Sequence, residues 1–156
     1  MHKSRLAHWL SLLAIDTSSD LLRHPSIGAS WEIFILEELW ALRPGWAEYY
    51  FYRTQGGAEV DLLILKGGMP YAVVEIKHSS APTLQRGYFS SVADLKPQRQ
   101  YVVAPITGSF PSREGVMVFS RSYKRSLIHA PIDSLRFCGT TAHNLRINSK
   151  MEAIFR

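Results

Sequence analysis

Charged residues lie inside two runs that are otherwise apolar. The run Ala58-Glu59-Val60-Asp61-Leu62-Leu63-Ile64-Leu65 carries Asp61, and Tyr71-Ala72-Val73-Val74-Glu75-Ile76-Lys77 carries Glu75 and Lys77. Burying a carboxylate or an ammonium is costly unless it is paired or bound to a metal, so charges in such places call for a reason. Strand alternation puts Glu59, Asp61 and Leu63 on one face and Val60, Leu62 and Ile64 on the other, and sets Glu75 and Lys77 on one face of the next strand. Two neighbouring carboxylates can hold a hard divalent cation, Mg2+ or Mn2+, together with waters and a phosphate. A lysine two residues after the glutamate can orient an attacking water and stabilise developing negative charge. The chemistry to expect is metal-assisted phosphodiester hydrolysis.

The two runs must be held side by side for this to work. A hairpin centred on Gly68 sets Asp61 opposite Glu75 and Glu59 opposite Lys77, with the two carboxylates' Cβ atoms roughly 5 Å apart. A two-residue Gly67-Gly68 turn instead pairs Asp61 with Val74, and a bulge is then needed to restore the faces. A third carboxylate comes from a helix expected over 31–42, capped by Ser30 and stopping before Pro44-Gly45. On it Glu32 shares a face with Ile35, Leu36, Leu39 and Trp40, which aims it at the sheet, while Glu38 lies nearer the edge. A plain ion pair from Glu32 to Arg53 or Lys77 is the structural alternative.

Other elements follow from periodicity and from Gly/Pro punctuation. Residues 6–15 read as a helix and Asp16 to Asp20 as a turn, with a second break at His24-Pro25-Ser26-Ile27-Gly28. Strands are expected at 48–53, 58–66, 71–77, 99–105 and 115–119, and a helix at 83–95. This order suggests an α/β domain with a mixed sheet flanked by helices. The division is an N-terminal helical segment, 1–29, a core, 30–120, and a basic C-terminal segment, 121–156.

The run from Glu32 through Glu59-Val60-Asp61 to Glu75-Ile76-Lys77 resembles the PD-(D/E)XK nuclease-like superfamily. More closely, residues from about Leu6 to Phe119 resemble the uncharacterised C-terminal domain of a bacterial and archaeal family of AAA-type ATPases. The segments carrying this are His24-Pro25-Ser26-Ile27-Gly28-Ala29-Ser30-Trp31-Glu32, Tyr50-Phe51-Tyr52-Arg53-Thr54, Gly57-Ala58-Glu59-Val60-Asp61 and Val74-Glu75-Ile76-Lys77. The resemblance implies a restriction-endonuclease-like fold, metal ligation by Asp61 and Glu75, a catalytic role for Lys77 and a supporting metal or water contact from Glu32. No Gly-x-x-x-x-Gly-Lys-Ser/Thr loop is present, so ATP hydrolysis is not expected. Lys3-Ser4-Arg5 stands where relatives often have an Asp-Ser-Gly-like start, which suggests a fragment or a stand-alone copy.

Composition sets the remaining bounds. The 156 residues suffice for one core, and 46% of them are hydrophobic against 20% charged, which excludes a disordered or fibrous chain. The net charge of +5 is concentrated at the end: residues 121–156 hold seven Lys/Arg against two Asp/Glu. That segment can bind phosphates without sequence preference. A lone cysteine, Cys138, and the lack of a leader or a membrane-spanning stretch fit a cytoplasmic protein. His78, Arg53 and Gln55 flank the acidic cluster and could approach a phosphate, although solvent exposure or ordinary pairing is the favoured reading of all three. Tyr49 to Tyr52 could stack bases or simply pack in a strand. The leading expectation is a Mg2+-dependent nuclease or a nuclease-derived DNA-binding domain. The alternative is a catalytically silent nuclease-fold module that contacts a protein.

Overall fold

Local chemistry sets most of the element boundaries. In the computed structural model, which describes residues 5–112 and 114–123, two helices open the chain, α1 (Arg5–Leu12) and α2 (Ser18–Arg23). The expected turn at Asp16 to Asp20 is largely helical. The Thr17 side chain accepts the Asp20 amide at 3.2 Å and starts α2 as an N-cap. The main helix, α3 (Ile27–Ala41), also begins earlier than expected, and Ser30 is not its cap but a fully buried residue within it. His24 accepts the Ser26 amide at 3.2 Å through Nδ1, which closes the break and lets the helix start at Ile27.

A three-stranded antiparallel meander follows: β1 (Ala47–Arg53), β2 (Glu59–Lys66) and β3 (Met69–Ile76). Gly67 and Gly68 both adopt positive φ, 56° and 74°, as a tight two-residue hairpin turn demands. The chain then crosses through α4 (Arg86–Leu95) to β4 (Arg99–Ala104), parallel to β3. Last come β5 (Ser109–Pro111), absent from the sequence expectations, β6 (Met117–Ser120) and a 3-10 turn at Arg121–Tyr123. The strand order is β1-β2-β3-β4-β6-β5, with β4 and β6 parallel and β5 antiparallel at the edge. The three exposed residues of β5 include a proline, a composition suited only to an edge.

Helices cover both faces of the sheet. On one face Trp31, Phe34, Ile35 and Leu39 of α3 pack with Leu62, Ile64, Val74, Ile76 and Val103, and Trp9 and Leu10 of α1 lie against the same cluster. On the other, Tyr88 of α4 packs with Val60, Leu63, Val73, Val102 and Val118. The protein is therefore an α/β domain with a mixed six-stranded sheet flanked by helices. Among the described residues, no helix is long and apolar enough to cross a membrane. The expected basic segment 121–156, with Cys138, lies outside the described residues from 124 onward.

Two departures bear on α3 and β2. The buried side of α3 includes Glu38, while Trp40 is exposed, and α1 and α2 also pack on this helix. In β2, Val60 joins the α4 core with Leu63, whereas Leu62 and Ile64 join the α3 core. Simple alternation placed Val60 with Leu62, and it fails because Tyr50 pairs with Leu63 while Tyr52 pairs with Val60. Phe51 thus stands against two residues, Asp61 and Leu62: a β-bulge that reverses the faces of β2 at Asp61.

Candidate functional site

A tight turn and one bulge fix the relation between β2 and β3. Next to the glycine turn the register is that of a two-residue loop, Lys66 with Met69 and Leu65 with Pro70. Tyr71 is then skipped, and Ile64 pairs with Ala72, Leu63 with Val73 and Leu62 with Val74. A tight turn and a compensating bulge therefore coexist, and together they give the register that leads Asp61 toward Glu75. Tyr71 and Ala72 consequently lie in the same apolar cluster, which two consecutive strand residues do only across a bulge.

Pairing between the strands stops at Leu62 and Val74, and beyond it the Asp61 side chain takes over. Its Oδ2 accepts the Ile76 amide at 2.6 Å. Glu75, only 7% exposed, is ion-paired to Lys77, whose Nζ lies 2.6 Å from its Oε1. Burial, with Glu75 close by, pushes the Asp61 carboxyl up to about 7, against the pull of the Ile76 amide. Glu32 reaches the same neighbourhood from α3: burial raises its pKa, Glu75 adds to the rise and Lys77 opposes it. Lys77 is itself raised, since burial alone would lower it but the Glu75 partner and the charges of Asp61 and Glu32 outweigh that. The four residues singled out from sequence thus feel one another's charges at the carboxyl end of β3.

The surrounding residues are distributed otherwise. Arg53 pairs with Glu59 at 3.6 Å, largely in solvent, where such a contact contributes little. Gln55 lies exposed in the turn between β1 and β2, closed by the Thr54 amide donating to the Ala58 carbonyl at 2.8 Å. His78 is exposed and its ring lies 5.6 Å from that of Trp31, a contact that the strand-end position did not foretell. Tyr49 is buried, Tyr52 donates to Asp94 at 3.3 Å, and Tyr50 and Phe51 are exposed. Sequence reasoning missed the bulge at Asp61 and the Ile76 amide as its partner, since neither has a residue signature.

This donor set suits a hard cation in charge, with two coupled carboxylates and a third acid within electrostatic reach. Among the described residues, however, no three His, Cys, Asp or Glu side chains are gathered into a ready ligand shell. A cation held here would take one or two carboxylates and complete its shell with water, a mode that suits Mg2+.

The fold and its acidic–lysine cluster define a bulged-hairpin α/β domain. The chain belongs to the family described as "Domain of unknown function (DUF4143)", whose model matches residues 27–123, from the first residue of α3 to the final 3-10 turn. Similar proteins include uncharacterised proteins of Mycobacterium tuberculosis (strain ATCC 25618 / H37Rv) and Mycobacterium bovis (strain ATCC BAA-935 / AF2122/97). Each is 42% identical over 107 residues, which cover 68% of this chain and 24% of the relative. The chain thus spans about a quarter of the length of the curated relatives it matches. No solved structure matches it at a significant level.

Proposed function

We propose that this domain is a divalent-cation-dependent nuclease-like module of the PD-(D/E)XK type, with a restriction-endonuclease-like fold, acting on or binding DNA. One observation carries the reading. Asp61 is turned by a bulge onto the Ile76 amide and kept beside the buried Glu75, where burial and that neighbour raise it to about 7. Lys77 is the one cation that acts on Asp61, and it acts less strongly than the two neighbouring carboxylates, Glu75 and Glu32. The position also suits a ligand site, since open α/β sheets bind ligands beyond the carboxyl ends of their strands.

Asp61 and Glu75 would hold Mg2+ or Mn2+, with Glu32 supporting through water. When bound, the ion supplies Lewis acidity and a more acidic water. Lys77, fixed by Glu75 at 2.6 Å, orients the attacking water and places positive charge against the phosphate oxygens. Such a module within a longer ATPase-type protein fits the length of the relatives. A second reading, a catalytically silent module that binds a protein, is favoured by one fact: Lys77 already neutralises Glu75.

Calorimetric titration with Mn2+ and Mg2+ decides between them. Binding in the wild type that is lost in Asp61→Asn and Glu75→Gln supports the metal site. No heat at millimolar ion would remove the nuclease reading and leave the interaction module.

A further inference from the structure

We propose that the corner opposite the acidic cluster, formed by the end of α3, the start of β1 and the β2–β3 turn, is a binding platform for single-stranded nucleic acid. It deepens the DNA reading above by naming the form of nucleic acid and where it is held, but it requires no metal and no chemistry at Asp61.

Cations and aromatic rings alternate there. Lys66 Nζ lies 5.4 Å from the Trp46 ring centroid and 5.9 Å from that of Tyr71, while the Arg99 guanidinium lies 4.9 Å from Tyr71. Arg43 sits 5.2 Å from the Trp40 ring. The rings brace one another edge-on, Trp46 against Tyr71 at 5.1 Å and Trp40 against Tyr49 at 5.8 Å. Trp40 is nevertheless 58% and Trp46 37% exposed. Tyr71, Tyr49 and the α3 core anchor the platform from below.

Charge favours an anionic occupant. Among the described residues neither Lys66 nor Arg43 is joined to a carboxylate in an ion pair. The neighbouring acid, Glu48, alternates away from buried Tyr49 toward the opposite face, where Tyr50 donates to it at 3.2 Å. Exposed indoles beside ordered cations suit a strand whose bases are unpaired, because bases can stack on the rings while phosphates meet the ammonium and guanidinium groups. An acidic peptide would use the cations but leave the indoles idle.

The test titrates the full chain with oligo-dT in EDTA, following tryptophan fluorescence, with duplex DNA and polyglutamate as comparison probes. Oligo-dT should quench the indoles and bind more tightly than either comparison probe. Trp40→Ala should weaken it roughly tenfold with an unchanged salt dependence, the loss of one stacked base. Arg43→Ser and Lys66→Ser should each lower the salt slope by about one. These two surface changes carry the test should Trp40→Ala fail to fold. Equal binding of polyglutamate would overturn the proposal in favour of an acidic protein partner, and wild-type affinity and salt slope in the variants would overturn it in favour of the basic segment 121–156. Intact strand binding alongside a failed metal titration would sink only the metal site, and the converse only the platform.

Discussion

The Asp61 carboxylate, 2.6 Å from the Ile76 amide, occupies the place where β2 would otherwise have supplied a backbone acceptor to β3. A side chain thus completes the backbone pairing of the sheet. Asp61→Ala should leave that partly buried amide without a partner and destabilise the fold by about 1–3 kcal/mol. Asp61→Asn keeps an acceptor oxygen and removes the repulsion with Glu75, so its urea midpoint at neutral pH without metal should equal or exceed that of the wild type. A midpoint for Asn as low as that for Ala would show that the charge itself holds the strands.

Lys77 should matter more to stability than Arg53. Removing Lys77 leaves the buried Glu75 without its ion-pair partner next to Asp61; breaking a fully buried pair costs about 3–5 kcal/mol, and the partly exposed Lys77 puts this one below that range. Lys77→Ala should therefore lower the thermal midpoint markedly, and added Mn2+ should restore more stability than it gives the wild type. Arg53→Ala, whose contact with Glu59 lies largely in solvent, should change stability by under about 1 kcal/mol.

Two glycines offer an internally controlled pair. A methyl group at Gly87 would lie 2.5 Å from the Gly57 carbonyl oxygen, which belongs to backbone and has little room to move. Gly87→Ala should push the start of α4 away from the β1–β2 turn and cost about 1–3 kcal/mol. At Gly28, in the first turn of α3, nothing lies within 4 Å, so Gly28→Ala should stabilise by up to about 1 kcal/mol through helix propensity. Denaturant midpoints of the two variants should move in opposite directions.

Much of this arrangement was legible before the structure because it rests on strong local signals. Gly67-Gly68 could only be a turn, the apolar runs around Asp61 and Glu75 could only be buried strands, and the spacing of α3 brought Glu32 to the sheet. What escaped was long-range. Nothing in Tyr50-Phe51-Tyr52 announces that β1 meets β2 with one residue fewer, so Val60 was assigned to the wrong face. The burial of Glu38 is a matter of tertiary packing that helical spacing does not carry, and Ser30 reads as a cap because a serine before a helical run usually is one. The three-residue β5 carries too little pattern to stand out from a loop.

Stability should depend on pH in a direction set by Asp61. An aspartate in the unfolded chain releases its proton near its model value of 3.8, but in the folded protein burial and the charge of Glu75 hold it until about 7. Between these values the folded state binds more protons than the unfolded one, so stability falls as pH rises from about 4 to about 7 and then levels off. Glu32, raised first by burial and then by Glu75, contributes in the same sense. The loss should amount to a few kcal/mol, since each unit of difference is worth about 1.4 kcal/mol. Asp61→Asn should flatten most of the slope. A bound cation must displace the same proton, so Mn2+ affinity should climb with pH up to about 7 and binding should release a proton, which titrations in buffers of different ionisation enthalpy will register. Stability independent of pH over this window, or an unchanged slope in Asp61→Asn, would show that Asp61 is ionised in the folded protein at all these pH values and would take away the electrostatic argument for a cation between the two strands.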